Sequence, residues 1–301
     1  MTHFFTPRVK LISAMVIFGT IGLFVRGIAL PSAEIALWRA VMASVLLSLV
    51  LLIKRQPIPL GKIKKEALLL FVSGAAIGFN WILLFEAYKY TTVSNATLAY
   101  YFAPVIVTLA CPLLFRERMG GKQWLCFALS TLGIILITGF SAISGGDQLI
   151  GILLGLGAAC LYATAVLINK YIKETRDVHR TLLQFLSAAI VLTPYVLLTD
   201  GIKLPTLAPT GLALLAIVGL LHTGVAYCLY FSALKDLNGV QAAIFSYIDP
   251  VVAVLLSVIV LSEPMSAVQI IGGLLVLGAT LYNEIPTRRK KKNEIDPNAS
   301  R

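Results

Sequence analysis

Charge is scarce in this chain: Asp, Glu, Lys and Arg make up 13% of 301 residues against 58% hydrophobic residues, and the mean hydropathy is +0.88. Soluble domains carry about a quarter charged residues, so a composition this poor in charge excludes an ordinary water-soluble domain. Cysteine is also rare. Cys111, Cys126, Cys160 and Cys228 stand singly, without the paired spacing of a zinc site or a redox couple, and read as packing residues. Motifs of catalysis are missing too. No H-E-x-x-H, no G-x-S-x-G and no cluster of His or carboxylates at one depth is present, which argues against a membrane-embedded enzyme. The lack of G-x-x-x-x-G-K-[ST] removes the basis for ATP drive, and no cofactor or metal is expected. No small-residue cleavage site follows the first apolar run, so that run reads as a full span rather than a signal peptide.

What is present is apolar text in blocks of about 20 residues, the length that crosses roughly 30 Å of hydrocarbon as a helix. Ten are expected, at 8–29, 32–53, 66–88, 92–115, 122–140, 149–171, 179–199, 209–232, 238–261 and 266–285. A lipid-facing barrel needs short segments of alternating polarity, and these runs are continuous. The expected fold is therefore an all-α integral membrane protein with ten transmembrane helices.

Placing both termini in the cytoplasm puts 21 of the 25 Lys and Arg on the inner side, as the positive-inside rule requires. Of the rest, Arg26, Lys89 and Lys203 fall near outer loops and Arg39 falls within a span. The net charge of +11 thus reads as a topology signal of a bacterial-type plasma membrane protein. A nucleic-acid surface would gather its basic residues on one face, and here they are scattered over short loops and a tail. That tail, Arg288 to Lys292, reads as an orientation signal near anionic lipid or as a solvated stop.

Shifted by 146 positions, residues 72–123 lie without a gap on 218–269, with 14 of 52 positions identical. The matches include Gly78/Gly224, Phe85/Phe231, Lys89/Lys235, Tyr101/Tyr247, Pro104/Pro250, Glu117/Glu263 and Gln123/Gln269, which shared hydrophobicity alone does not produce. The chain divides into a first repeat at 1–145, a second at 146–286 and a basic cytoplasmic tail at 287–301. Five spans is an odd number, so the second unit enters from the opposite side and the two repeats are inverted. Inverted repeats expose a site at their interface to either side in turn.

Several motifs resemble the EamA branch of the drug/metabolite transporter superfamily over nearly the whole chain. They are Trp38-Arg39-Ala40, Pro104-Val105, Asp249-Pro250-Val251 and the exits Phe115-Arg116-Glu117-Arg118 and Leu261-Ser262-Glu263-Pro264. The resemblance implies a basket of spans 1 to 4 and 6 to 9 around a central cavity, with spans 5 and 10 outside it. It leaves the substrate open. Ala103 stands where the second repeat has Asp249, so a carboxylate function there is single.

Polar residues inside spans mark the expected site. Arg39, beside Trp38, costs several kcal/mol in hydrocarbon unless it pairs or faces water. It reads as an anchor for a substrate carboxylate or phosphate, or as a structural partner of Glu34 or a carbonyl. Asp249 precedes Pro250, whose missing donor opens the helix. It reads as a proton carrier or as a structural acid bonded to the broken backbone. His222 is a second proton-coupling candidate or a hydrogen-bonded packing group. Glu86 pairs with Lys89 one turn away, and Glu117 and Glu263 read as structural acids near the N-termini of the helices that follow them.

Asn80, Trp81 and Phe85, Tyr100 and Tyr101, Tyr162 and Asn169, Tyr227 and Tyr230, and Tyr247 sit on spans that the resemblance places around the cavity. Tyr88, Tyr90, Tyr171 and Tyr282 are read instead as an interfacial belt. The substrate-binding set is Arg39, Trp38, Asn80, Trp81, Tyr100, Tyr101, Tyr227 and Tyr247. Gly74/Gly78 and Gly151/Gly155 permit close helix approach, and Gly272, Gly273 and Gly278 offer a dimer face, so the chain is read as a monomer or homodimer. The expected function is secondary active transport of a small polar or amphiphilic metabolite, an amino acid or related compound, in the direction of export. A lipid scramblase or a sensor is the alternative.

Overall fold

A computed structural model describes residues 6–56, 60–115, 120–143, 146–175, 177–234, 236–237 and 245–285. Among these all regular structure is helical, as hydrocarbon demands, because a helix satisfies its own backbone donors and acceptors. The first repeat contains α1 (Pro7–Gly19), α2 (Ile21–Arg26), α3 (Ser32–Ile53), α4 (Leu60–Tyr90), α5 (Val93–Tyr100), α6 (Ala103–Phe115) and α7 (Gly121–Ile143). The second contains α8 (Asp147–Asn169), α9 (Asp177–Thr199), α10 (Pro209–Ala216), α11 (Ala226–Leu234), α12 (Ile248–Ile259) and α13 (Ala267–Glu284). A π-helical segment, Ile217–Val225, joins α10 to α11. Seven stretches are long and apolar enough to cross a membrane, and the fifth, ninth and tenth expected spans are shorter apolar helices among the described residues. Glu117, Lys235 and the tail from 287 lie outside the described residues.

The two repeats pack as equivalents. α4 lies against α8 and α9, and the 209–234 segment lies correspondingly against α1 and α3. α5 and α6 meet α8 as α12 meets α1, while α3 with α9, α5 with α12 and α7 with α13 pair one repeat with the other. Glycines carry this equivalence to individual atoms. A Cβ on Gly78 would meet Leu192 at 3.2 Å, and one on Gly224 would meet Leu46; both the glycines and the leucines stand 146 apart. Gln123 and Gln269 likewise do one job, each accepting a bond of 2.9 Å from the backbone N–H three residues earlier, at Gly120 and Ser266, to close the first turn of α7 and α13.

The chain breaks at matched places. Tyr101 and Tyr247 are both turn residues, after which α6 and α12 begin. The proline expected to open the middle of a helix therefore sits in a first turn. Pro104 and Pro250 cost little there, since first-turn N–H groups have no intrahelical acceptor. Large apolar side chains such as Ile53, Leu198 and Ile259 face outward, toward the hydrocarbon that their composition requires.

Helix ends are tied by buried acids. Glu34 accepts from the backbone of Lys203 and Leu204, and Glu66 from Lys173, Glu174 and Thr175. Glu263 pairs with Arg26, accepts from Ser257 and takes the Val93 N–H at 2.9 Å. Its carboxylate thus caps the N-terminus of α5 rather than that of the helix following it. Arg26 also donates to the carbonyls of Tyr88 and Thr91, so one network joins α2, the α4–α5 turn and the α12–α13 connection. Glu86 pairs with Lys89 at 2.9 Å as expected and accepts from Ser32 as well.

Candidate functional site

The breaks at Tyr101 and Tyr247 lie beside a cavity of about 330 Å³ between the repeats. Side chains of α1, α2, α3, α4, α5 and α6 line it from one repeat, and those of α8, α11 and α12 from the other. α7 and α13 contribute none and pack on each other. Ten of the 22 lining residues are aromatic, so the wall offers ring faces with hydroxyl tips rather than plain hydrocarbon.

The rings follow the repeat. Trp81 and Tyr227 are equivalent positions, and both stand 5.2 Å, centroid to centroid, from Phe185. Tyr101 and Tyr247, also equivalent, approach to 6.5 Å. Tyr100 and Tyr162 extend the group at 5.6 Å.

The charges do not follow it. Arg39 is 5% exposed and lines the cavity. Its Nε donates to Thr223 Oγ1 at 2.6 Å, and its Cζ lies 4.1 Å above the Trp81 ring centroid and 5.5 Å from that of Phe85. Stacking on an aromatic face suits the weakly hydrated guanidinium and holds its plane. Glu34 is engaged elsewhere, and no carboxylate among the described residues lies within ion-pair distance of Arg39. Asp249 lies in the first turn of α12, where the helix dipole favours an anion. Its Oδ2 accepts the Tyr101 hydroxyl at 2.6 Å.

Of the expected site residues, Arg39, Trp81, Tyr100, Tyr101, Tyr227, Tyr247 and Asp249 come together around the cavity. Trp38, Asn80 and His222 are not among its lining residues. Trp38 donates Nε1 to Glu34 at 3.2 Å, and Asn80 donates to the Ala158 carbonyl at 2.6 Å. His222 is fully buried between Thr20 Oγ1, 2.7 Å from Nε2, and the Ile217 carbonyl, 3.2 Å from Nδ1. A carbonyl only accepts, so Nδ1 carries a proton, and the single Thr20 hydroxyl proton is shared between the Ile17 carbonyl, 2.8 Å away, and Nε2. Phe85, Tyr162 and Tyr230 line the cavity, whereas Asn169 accepts from Gln184 at 2.7 Å. Tyr88, read from sequence as an interfacial belt residue, is 3% exposed and lines the cavity. The spacing of Trp81, Phe85 and Tyr88, one face of one helix, carried that signal. Thr223, the hydrogen-bond partner of Arg39, had no signal in the sequence. Tyr90, Tyr171 and Tyr282 are exposed.

A model of the EamA-like transporter family matches residues 9–139 and again 149–283. The chain belongs to the EamA-like transporter family. Among similar proteins, the uncharacterized transporter YxxF of Bacillus subtilis (strain 168) is 30% identical over 256 residues, 84% of this chain and 81% of YxxF. Protein PecM of Dickeya dadantii (strain 3937) is 27% identical over 240 residues, 75% of this chain and 78% of PecM. A solved crystal structure shares the fold at a TM-score of 0.62 and 16% identity, over 92% of this chain and 96% of the other. This EamA chain is thus a multi-pass membrane protein of a transporter family.

Proposed function

We propose that this protein is a secondary active transporter that moves a small polar or amphiphilic metabolite, an amino acid or a related compound, across a bacterial-type plasma membrane. Transport runs by alternating access about the central cavity, in the direction of export, with both termini cytoplasmic. The observation that carries this reading is the cavity itself: equivalent rings from two repeats enclose it, and polar groups at non-equivalent positions face it. A cavity between inverted units opens to either side as the units rock. Arg39 anchors an anionic group of the solute. Asp249, on the cavity wall at a helix break, carries the coupling proton.

The test is uptake of labelled amino acids and related metabolites into liposomes holding the purified protein, with and without an imposed pH gradient. The expected result is protein-dependent flux of a subset of solutes that responds to the gradient, and flux without that response in Asp249→Asn. Lipid scrambling in the absence of any solute flux would overturn the carrier reading. A gradient response retained in Asp249→Asn would remove the proton role from that residue.

A further inference from the structure

Four of the carboxylates buried or half-buried at helix ends each take two or more donors: Glu34 and Glu66 from backbone N–H groups, Glu86 from Ser32 and Lys89, and Glu263 from Arg26, Val93 and Ser257. Asp249 takes one, the Tyr101 hydroxyl, and among the described residues no basic side chain pairs with it. Arg39 shows the complementary pattern. A guanidinium has five N–H donors, and a single one reaches a protein acceptor, Thr223, among the described residues. Both groups line the same cavity, and both stand where the other repeat has a group without charge, Phe185 for Arg39 and Ala103 for Asp249. The frame can therefore be built without either charge.

We propose that the cavity recognises its solute by two opposite charges at once, an anionic group on Arg39 and an ammonium on Asp249, so that the ligand class is a small zwitterion. This rests on reading the cavity as the solute site. A solute with both charges satisfies both protein groups and enters with no net charge. One with an ammonium alone leaves the Arg39 charge desolvated and uncompensated, and one with an anionic group alone leaves Asp249 without a cation, so that it must take up a proton; each loses one of the two interactions. The rings suit each end. Trp81 stacks on the guanidinium of Arg39 and holds its plane, leaving N–H groups that meet no acceptor among the described residues for a bidentate partner, and the Tyr101 hydroxyl holds the Asp249 carboxylate on the cavity wall. A volume of about 330 Å³ is at the small end of organic-ligand pockets, which selects a compact molecule. A carboxylate occupied by an ammonium holds no proton, so the coupling role of Asp249 belongs to the solute-free protein.

The experiment uses the full chain in detergent at neutral pH and measures binding by shift of the unfolding midpoint. The probes are two matched sets, phenylalanine, 2-phenylethylamine and 3-phenylpropionate, and leucine, isoamylamine and 4-methylpentanoate, with 6-aminohexanoate as a further zwitterion of wider charge spacing. At least one zwitterion is expected to bind about tenfold or more tightly than its amine-only and acid-only analogues, a difference of about 1.4 kcal/mol or more. Arg39→Gln should erase the preference over the amine, Arg39→Lys should restore part of it, and Asp249→Asn should erase the preference over the acid. The analogue comparison needs no variant, so it stands even if a substitution prevents folding. In every set whose zwitterion binds, a single-charge analogue binding as tightly overturns the proposal, as does the absence of binding by every zwitterion tested. Flux of a solute that shows no two-charge preference would remove this inference and leave the carrier reading intact. Two-charge binding without flux would do the reverse.

Discussion

α4 and the 209–234 segment descend from one ancestral span and have diverged in backbone as well as in side chains. α4 runs unbroken for 31 residues, whereas its counterpart passes from α10 through a nine-residue π segment into α11. The local cause is visible. His222 and Thr223 direct side-chain atoms at the carbonyls five residues back, Ile217 at 3.2 Å and Val218 at 2.9 Å, while the equivalent Ala76 and Ile77 have no group that can do so. The π segment then offers Thr223 to Arg39 and His222 to Thr20 at the α1–α2 break, contacts that the first repeat has no means of reproducing. Packing faces are kept between the repeats, and hydrogen-bonding faces are where they part. Widened turns of this kind recur at functional sites, and this one reaches the cavity through Thr223 and Arg39.

The largest effect is expected from crowding the packing faces that the two repeats share. Gly78→Leu and Gly224→Leu each drive a large side chain into the opposing leucine, and each should cost about 3 kcal/mol, the upper range for overpacking. Unfolding of the two variants in detergent would measure this. Losses differing by more than about 2 kcal/mol would show that the π segment has changed the packing face as well as the polar one.

How much of this was legible from residues alone depends on what kind of force decides each feature. Hydrophobic runs and an offset of 146 were enough for the helices and the repeat, because burial acts on composition and spacing. Most of the aromatic wall was legible too, since Trp81, Tyr100, Tyr101, Tyr227 and Tyr247 are polar-tipped rings within spans that the family resemblance sets around a cavity. What was not legible is which polar group meets which. Glu34 is one turn from Trp38 and Arg39 and bonds the first of these, along with a loop about 170 residues away. Asn80 is an amide mid-span like a ligand group, yet a neighbouring helix carbonyl at 2.6 Å satisfies it. Hydrogen-bond partners depend on distances of tenths of an ångström, and helix periodicity does not resolve those.

His222 is where the divergence of the repeats can be sharpened. His222→Ala removes the Thr20 contact and the i−5 bond to Ile217 and leaves a space at a fully buried position. It should cost about 2 kcal/mol. Amide exchange should rise at 17–22 and 217–225 and stay unchanged in the middle of α4. Equal acceleration in α4 would mean that His222 supports the whole molecule rather than the asymmetric contact between the α1–α2 break and the π segment.

The smallest effect tests the most faithful part of the repeat. Gln269 takes part in a full capping box, because Ser266 Oγ also accepts from the Gln269 N–H at 3.2 Å. Gln123 has the same amide geometry, but glycine at 120 supplies no side chain to return the bond. Ser266→Gly makes the second cap a copy of the first. Glycine is a tolerable N-cap residue, so the cost should be a few tenths of a kcal/mol, whereas Gln123→Ala and Gln269→Ala should each lose about 1 kcal/mol. These values come from unfolding midpoints of the three variants measured side by side. If Ser266→Gly costs as much as Gln269→Ala, the serine hydroxyl rather than the shared glutamine holds the start of α13, and the identity of Gln123 and Gln269 would reflect common descent without a common load.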